Sequence, residues 1–548
     1  MVLAQRRLRL LFASFAALLL IAALRTADLG MLQGTHLSDL AQSNEVRILV
    51  QPAMRGAIVD ASGRALALSE PGDDIEAYRV SYPATAAAKL APLLHESSAA
   101  LALKLEQHPN SNQYLARQVP AATAQRIESL GINGIALATD NIRYYPFGSL
   151  AGQLLGGMHS NGSGAAGLEA AYDRALAGSS GKTRVVYAGD GKPISVDVLR
   201  QARTGASLRL TIDAPLQQEV ESVLASVGSR FSPYSSTGIV SDPRTGAVLA
   251  LANWPSANPS SPGGGRNWID SAIAMNYEPG STFKIVAVGG ALSDGLITPN
   301  TTFQIPAALQ FDGRTINDSE PHGNETLTTA GIVGQSSNIG AVEIGQLLGE
   351  NRFYQWTRRF GFGAPTGIDV PGEEQGLIPP LSDYNNFSMG NLPFGQGESV
   401  TPIQLATAYA AIADGGVLRP PHVVAAVGGE AVRTPRGHRI LSPQVAAEMR
   451  KILEAPLAPN GTASEISIPG YTLAGKTGTA NIAVNGIYSH TKYVASFVGF
   501  APAEHPKVEV TVVVDQPQDG AIYGTDAPAH AWEDIMSWAL RYMAIPPS

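Results

Sequence analysis

The chain has 548 residues, room for two to four domains, and an ordinary globular composition of 44% hydrophobic and 15% charged residues. A net charge of −8 argues against a nucleic-acid partner, because no basic stripe is present to neutralise phosphates. Cysteine is absent, which excludes a thiol nucleophile and any cysteine-ligated metal, and the ten histidines are too scattered (no two closer than His95 and His108) for a local metal motif.

At the N-terminus, Arg6, Arg7 and Arg9 precede an uncharged apolar run, residues 10–24, closed by Arg25. Fifteen helical residues cover about 22 Å, short of a hydrocarbon core of roughly 30 Å, so the run fits a cleavable signal as well as an anchor. Cleavage chemistry is poor, however. Two positions before Ala23 and Ala27, where a signal peptidase wants a small residue, stand Ile21 and Arg25. The expectation is a retained anchor over residues 10–29, lengthened by Ala27, Leu29, Met31 and Leu32, with Arg9 and Arg25 reaching outward. The leading arginines place residues 1–9 in the cytoplasm and the rest outside. A polar stalk then runs to about Val46.

Residues 45–205 mix short strand-like and alanine-rich helical patterns, as expected of a mixed α/β module. Residues 55–69 alternate about a Ser62-Gly63 turn and read as a hairpin. Residues 84–94 and 121–130 read as helices, with Thr123 a candidate cap for the second. Asp60, Arg143 and Glu169 are isolated charges, and a salt-bridged or solvated scaffold is the ordinary reading for such groups.

A larger module, residues 207–548, opens with a strand at 208–212, a helix at 214–224 and a hairpin, 238–242 with 247–251, about the turn Pro243-Arg244-Thr245-Gly246. Strands at 493–500 and 508–514 and a helix at 529–543 close the chain. Between these ends lie mostly helices. Thr401-Pro402 starts one that Gly415-Gly416 stops, and Ser442-Pro443 starts another. Strands at both ends with helices between them predict an antiparallel sheet whose N- and C-terminal strands pair, with a helical insertion, an α+β arrangement.

Three strings in this module carry chemistry. Ser281-Thr282-Phe283-Lys284 follows Glu278-Pro279-Gly280 and opens an apolar-periodic helix with Phe283, Val286 and Ala287. At i and i+3 on a helix, Lys284 can reach the Ser281 hydroxyl and, when desolvated, act as its base, while the helix N-terminus favours an oxyanion. The plain alternative for Ser281 is a helix N-cap. Ser179-Ser180-Gly181-Lys182 and Ser489-His490-Thr491-Lys492 match the same pattern, but the first sits in a Gly/Ser loop and the second just before a strand. Lys476-Thr477-Gly478-Thr479 reads as an edge strand, with Gly478 leaving room for something to lie flat and Lys476 and the threonine hydroxyls able to hold a carboxylate; an exposed turn is the alternative. Ser336-Ser337-Asn338 breaks an otherwise helical stretch, 328–348, although Ser256-Ala257-Asn258 shows how common the string is.

Together, and in this order, the strings resemble those of the class B penicillin-binding proteins, single-pass peptidoglycan transpeptidases. The resemblance extends over nearly the whole chain, through Arg55-Gly56, Arg143-Tyr144-Tyr145-Pro146, Gly167-Leu168-Glu169, Leu210-Thr211-Ile212-Asp213 and Gln404-Leu405-Ala406. It implies the serine-transpeptidase fold, an antiparallel sheet flanked by helices with a helical subdomain, preceded by the mixed α/β pedestal and one transmembrane helix. It also implies that Ser281 attacks the penultimate D-alanine carbonyl of a stem peptide, with Lys284 as base, Ser336 relaying a proton to the leaving D-alanine and Asn338 holding the donor. Lys476, Thr477 and Thr479 bind the terminal carboxylate beside Gly478, and the backbone N–H groups of Ser281 and Thr479 form an oxyanion hole. A neighbouring strand's amine completes the crosslink.

The implied ligands are stem peptides, as donor and amine acceptor, and β-lactams; the implied partners are a polytopic SEDS-type glycan polymerase and other divisome proteins. No cofactor, metal or nucleic acid is expected. Tyr523-Gly524-Thr525 departs from the two glycines that follow the tyrosine in many relatives, which bears on acceptor contacts. A D,D-carboxypeptidase, a β-lactamase and a β-lactam sensor share the three strings, and length and pedestal favour a division role over elongation.

Overall fold

The computed structural model describes residues 2–29, 46–107, 109–187, 193–261, 265–484, 486–518, 520 and 523–548. The stalk and the Met31-Leu32 extension of the anchor lie outside the described residues. Val2–Ala27 is one continuous helix, and its segment Arg6–Ala27 is exposed along its length. At 1.5 Å per residue that segment covers about 33 Å, enough to cross a hydrocarbon core. The fifteen-residue reading of the run was short because the flanking arginines continue the helix rather than end it, their long stems serving as apolar surface.

Contacts divide the chain into two interleaved compact units. The first comprises residues 1–54, 71–142 and 178–204. Strands Val46–Gln51, Gly181–Tyr187 and Pro193–Arg200 form an antiparallel sheet in it. Helices Pro83–Leu94, Ser98–Gln107 and Ala121–Ser129 bury Leu90, Leu101, Leu105 and Ile127 in a small separate core. Thr123 does not cap the last of these. Strand Gln113–Pro120 runs straight into the helix, and Pro120, its φ already set by the ring, is the N-cap residue.

The second unit comprises residues 55–70, 143–177 and 205–548. The hairpin at 55–69 forms as expected, with Ile58 paired to Ala67. Asp60 organises its turn by accepting from the Ser62 amide and hydroxyl and the Arg64 amide, and a further bond comes from the Ala214 amide. The scaffold reading of Arg143 and Glu169 also holds. Glu169 is fully buried between Arg55, at 2.6 Å, and Arg143, at 2.7 Å, while Arg55 reaches on to Asp173.

The catalytic-sized core is built on α1 (Ala214–Phe231), β1 (Ser235–Asp242), β2 (Ala247–Trp254), α2 (Lys284–Ser293), α3 (Thr329–Gly334), α4 (Asn338–Leu348), α5 (Pro402–Ala413), β3 (Ala474–Val484), β4 (Ile487–Ala501), β5 (Val508–Asp515) and α6 (Ala527–Tyr542). The five strands form one antiparallel sheet in the order β2-β1-β5-β4-β3. The hairpin strand β1 therefore pairs with β5, Val510 opposite Val240, and β3 is left at the edge, while Leu208–Leu210, the first strand expected in this module, joins a different sheet beside Ile58–Val59 and Val424–Val427.

Period-two alternation sends the β5 side chains to both faces. Val510, Val512 and Val514 meet Leu216, Val220 and Leu224 of α1 and Trp532, Ile535 and Met536 of α6. Val513, with Val498 and Phe500 of β4, faces the core that includes Val286 of α2 and Tyr409 of α5. Trp532 is fully buried and donates its indole N–H to the Val510 carbonyl at 3.0 Å. The α5 start carries the complete capping box read from Thr401-Pro402, with Gln404 as the reciprocal partner. Two short hairpins were not anticipated: Thr302–Ile305 pairs with Glu325–Thr328, and Leu309–Phe311 with Arg314–Ile316.

Candidate active site

The nucleophile string is built differently from a plain helix start. Gly280–Phe283 is a single 3₁₀ turn, which passes directly into α2 with Lys284 as its first residue. In a 3₁₀ turn the i and i+3 side chains eclipse, so the lysine stands directly over the serine. Lys284 Nζ lies 2.9 Å from Ser281 Oγ. Ser281 is not an N-cap; Pro279 holds that position for the turn. The Tyr409 hydroxyl fixes the turn from beneath by donating to the Thr282 carbonyl at 2.9 Å.

Opposite it, α3 ends at Gly334 and α4 begins at Asn338, so the break expected within 328–348 falls on residues 335–337. Ser336 takes a left-handed backbone, φ +62°, which a non-glycine residue adopts only when its surroundings hold it there. That conformation aims both its oxygens at the lysines. Lys284 Nζ donates to the Ser336 carbonyl, approaches its hydroxyl at 3.3 Å, and contacts Asn338 Oδ1 at 3.0 Å. Lys476 Nζ reaches the same hydroxyl at 2.9 Å and the Thr477 hydroxyl at 3.1 Å. One hydroxyl thus links two amines.

Both lysines are about 1% exposed and neither makes an ion pair among the described residues. Burial pulls the Lys284 amine down to about 7, with the charge of Asp318 opposing that shift. Lys476 lies well below the usual lysine range, first through burial and then through repulsion from Lys284. At neutral pH a substantial fraction of Lys284 is a free base in contact with a hydroxyl.

The third string lies on edge strand β3, at the rim of an open cavity of 800 Å³ lined by Ser281, Ser336, Asn338, Thr477 and Thr479 among others. Thr477 Oγ1 lies 3.2 Å from Thr462 Oγ1, and Thr479 Oγ1 accepts the Gly524 amide at 3.0 Å, leaving its proton for a ligand. What lies flat against Gly478 is the nucleophile turn itself. A β-carbon there would sit 2.4 Å from the Ser496 hydroxyl of β4, 2.8 Å from the Pro279 carbonyl and 2.9 Å from the Thr282 methyl, and one on Gly280 would sit 2.5 Å from the Thr479 carbonyl. Glycines at both positions let strand and turn meet backbone to backbone.

The sequence matches the model of the penicillin-binding protein transpeptidase domain over residues 237–537 and that of the penicillin-binding protein dimerisation domain over residues 50–210. The chain belongs to the penicillin-binding protein transpeptidase family. Among curated relatives it is 32% identical to the penicillin-binding protein PbpB of Mycobacterium tuberculosis, covering 97% of this chain and 84% of that one. It is 31% identical to the peptidoglycan D,D-transpeptidase FtsI of Escherichia coli, covering 95% and 89%. Among solved structures it resembles penicillin-binding protein 3 of M. tuberculosis in complex with aztreonam, with TM-score 0.72, 30% identity and coverage of 91% of this chain and 98% of that one. The fold is that of the penicillin-binding transpeptidases, α+β with a mixed N-terminal module.

Within this transpeptidase all eight expected residues, Ser281, Lys284, Ser336, Asn338, Lys476, Thr477, Gly478 and Thr479, converge on one region. The two decoys do not. Ser179 bridges to Arg203 by backbone, with Lys182 on a separate strand, and Ser489 and Lys492 both lie inside β4. Ser489 was expected just ahead of that strand; β4 begins earlier, at Ile487, because its first residues pair back to the end of β3. Asp318, which no sequence pattern marks, also belongs to the site. It accepts from the amides of Asn338 and Ile339, from the Ser337 hydroxyl at 2.7 Å, and contacts His322 Nε2 at 3.0 Å. Nineteen residues separate it from Ser337, and no local pattern marks it.

Proposed function

We propose that this protein is a peptidoglycan D,D-transpeptidase that crosslinks stem peptides through a serine acyl-enzyme and is inhibited by β-lactams. The observation that carries the reading is the hydrogen-bonded chain Ser281–Lys284–Ser336–Lys476, a nucleophile and base continued by a relay to a second amine. Its relatives named as peptidoglycan D,D-transpeptidases and the aztreonam complex of a similar structure support it.

In this mechanism the neutral Lys284 takes the Ser281 proton as Oγ bonds to the penultimate D-alanine carbonyl carbon. The backbone amides of Ser281 and Thr479 receive the oxyanion. When the C–N bond breaks, the departing D-alanine amine gains a proton through the Ser336 hydroxyl, replaced from the lysine side. The acceptor amine then attacks the ester carbonyl, gives its proton to Lys284, and Ser281 leaves as the hydroxyl. Lys476 and the hydroxyls of Thr477 and Thr479 hold the donor carboxylate, and Asn338 its peptide. An arriving carboxylate restores the charge that burial suppresses on Lys476.

Residues 1–9 are assigned as the cytoplasmic tail, 10–29 as a retained anchor, 45–205 as the pedestal and 207–548 as the catalytic module outside the membrane. The role is septal, alongside a SEDS-type polymerase and other divisome proteins; similarity to FtsI and to the stage V sporulation protein D of Bacillus subtilis favours it over elongation. A tagged copy at midcell supports that role, and one spread along the sidewall contradicts it. For the reaction, the purified protein given a nascent glycan with D-Ala-D-Ala stems yields crosslinked muropeptides that vanish with Ser281→Ala. Release of D-alanine without crosslinks makes it a carboxypeptidase.

Rapid β-lactam turnover would make it a β-lactamase, which needs a water-activating base. Asp369 is committed to the Val423 and Val424 amides and Glu373 to the 366–367 amides.

A further inference from the structure

We propose that Asp318 is a positioning residue for this site, one carboxylate that fixes the Ser336–Asn338 turn against Lys284. The proposal rests on the reading of Lys284 as base. Asp318 lies in the segment after the short hairpin strand Arg314–Ile316, outside all three catalytic strings. Its side chain is 9% exposed, and four donors from two elements converge on it. Oδ1 takes the first two amides of α4, from Asn338 and Ile339. Oδ2 takes the Ser337 hydroxyl and the His322 ring. A carboxylate on free amides at a helix N-terminus is held there by charge and hydrogen bonding together. Ser337 itself caps α4 through the Gly340 amide, so the carboxylate and the cap form one unit.

That unit fixes the backbone on both sides of the relay. Upstream it ends at Ser336, whose carbonyl and hydroxyl meet the lysines; downstream it ends at Asn338, whose Oδ1 lies 3.0 Å from Lys284 Nζ. Asn338 Nδ2 adds a second tie to this segment, donating to the Asn317 carbonyl at 3.1 Å. Behind Asp318 stands His322, which contacts the Gly323 carbonyl at 2.6 Å and Glu325 at 3.3 Å; Lys284 and, beyond it, Lys476 complete the charged surroundings. Asp318 is the carboxylate whose charge opposes the burial of Lys284, so removing it drives the amine further toward the neutral form.

Its hold on the turn and its charge beside Lys284 predict separate changes in one experiment. The second-order rate of acylation by a fluorescent penicillin is followed from pH 5.5 to 9 for the full-length protein in detergent. Asp318→Asn lowers the plateau by about tenfold or more, as expected for loss of charge-assisted bonds. At the same time its acid limb moves to lower pH, because Lys284 sheds its proton more readily. Ser337→Ala keeps the charge and removes one donor, so its plateau falls while the limb stays. A purely structural Asp318 would lower the plateau without moving the limb, and that result overturns its placement against Lys284. An unchanged rate in Ser337→Ala overturns its hold on the turn, even should Asp318→Asn fail to fold. Absence of labelling in the unaltered protein would instead remove the acyl-enzyme reading itself.

Discussion

Two clusters of buried charge lie within the same compact unit, and they are built on opposite plans. Around Glu169, two guanidiniums close on one carboxylate, and Arg55 finds a second in Asp173. Around Ser281, two amines share the Ser336 hydroxyl, and among the described residues no carboxylate pairs with either. Burial costs both clusters several kcal/mol per ion. The first offsets that cost by pairing and remains charged. The second cannot, so burial lowers the pKa of both amines, and a lysine near neutrality beside a hydroxyl is a base. Charge balance, rather than burial, separates scaffold from chemistry here.

Exchanging residues between these plans tests the contrast. The largest effect is expected at the base: Lys284→Ala lowers the acylation rate by about 10²–10⁴, the usual weight of a general base. Stability should respond in the opposite sense. Lys284→Met, which replaces a buried amine with an apolar side chain of similar length, leaves the melting temperature unchanged or raised although labelling is lost. Glu169→Ala strands two buried guanidiniums and costs about 3–5 kcal/mol, seen as a lower melting temperature, while the fraction that stays folded still labels. If Glu169→Ala leaves stability intact, or Lys284→Met unfolds the protein, the contrast fails.

A smaller effect belongs to the pocket. Lys476→Ala raises the β-lactam concentration for half-labelling tenfold or more, from a contact worth about 1.5–3 kcal/mol, with the covalent step still possible. An unchanged concentration would place Lys476 outside the carboxylate site.

A further effect is a slope. Lys284 sits at about 7 in the folded state against 10.5 as the unperturbed value. Between these values the unfolded chain binds the extra proton, so this group makes stability rise with pH across the window and contributes no penalty above it. The difference in melting temperature between the unaltered protein and Lys284→Met should therefore narrow as pH rises from about 7 toward 10.5. A constant difference would mean that the amine titrates normally.

The parts of this site that follow from local rules were legible in the sequence. A Ser-x-x-Lys string after Pro279-Gly280 puts base over nucleophile, a serine pair interrupts a helix, and small residues on a terminal strand mark an edge. Pairing of the 235–242 strand with the last strand followed from where the strand patterns fall, whereas the strand at 208–210 finds its partners in distant segments, 58–59 and 424–427. Asp318 was not legible, because its partners come from the start of a helix nineteen residues away and the contact exists only once the chain has folded. Gly478 was expected to leave room for a ligand lying flat, whereas the packed structure sets the Ser496 hydroxyl and the nucleophile turn against it. The missed cap at Thr123 and the early start of β4 are boundary effects, where a preceding strand or a hairpin partner overrides local preference.

The proposed reaction requires that Ser281, and no other serine, carry the acyl group. The direct measurement is mass spectrometry of a protease digest after a brief exposure of the purified protein to a β-lactam. A single modified peptide containing Ser281 and Lys284 is expected, with the Ser179 and Ser489 peptides unmodified. An adduct on either of those peptides, or none on Ser281 in protein that retains its fold, would contradict it.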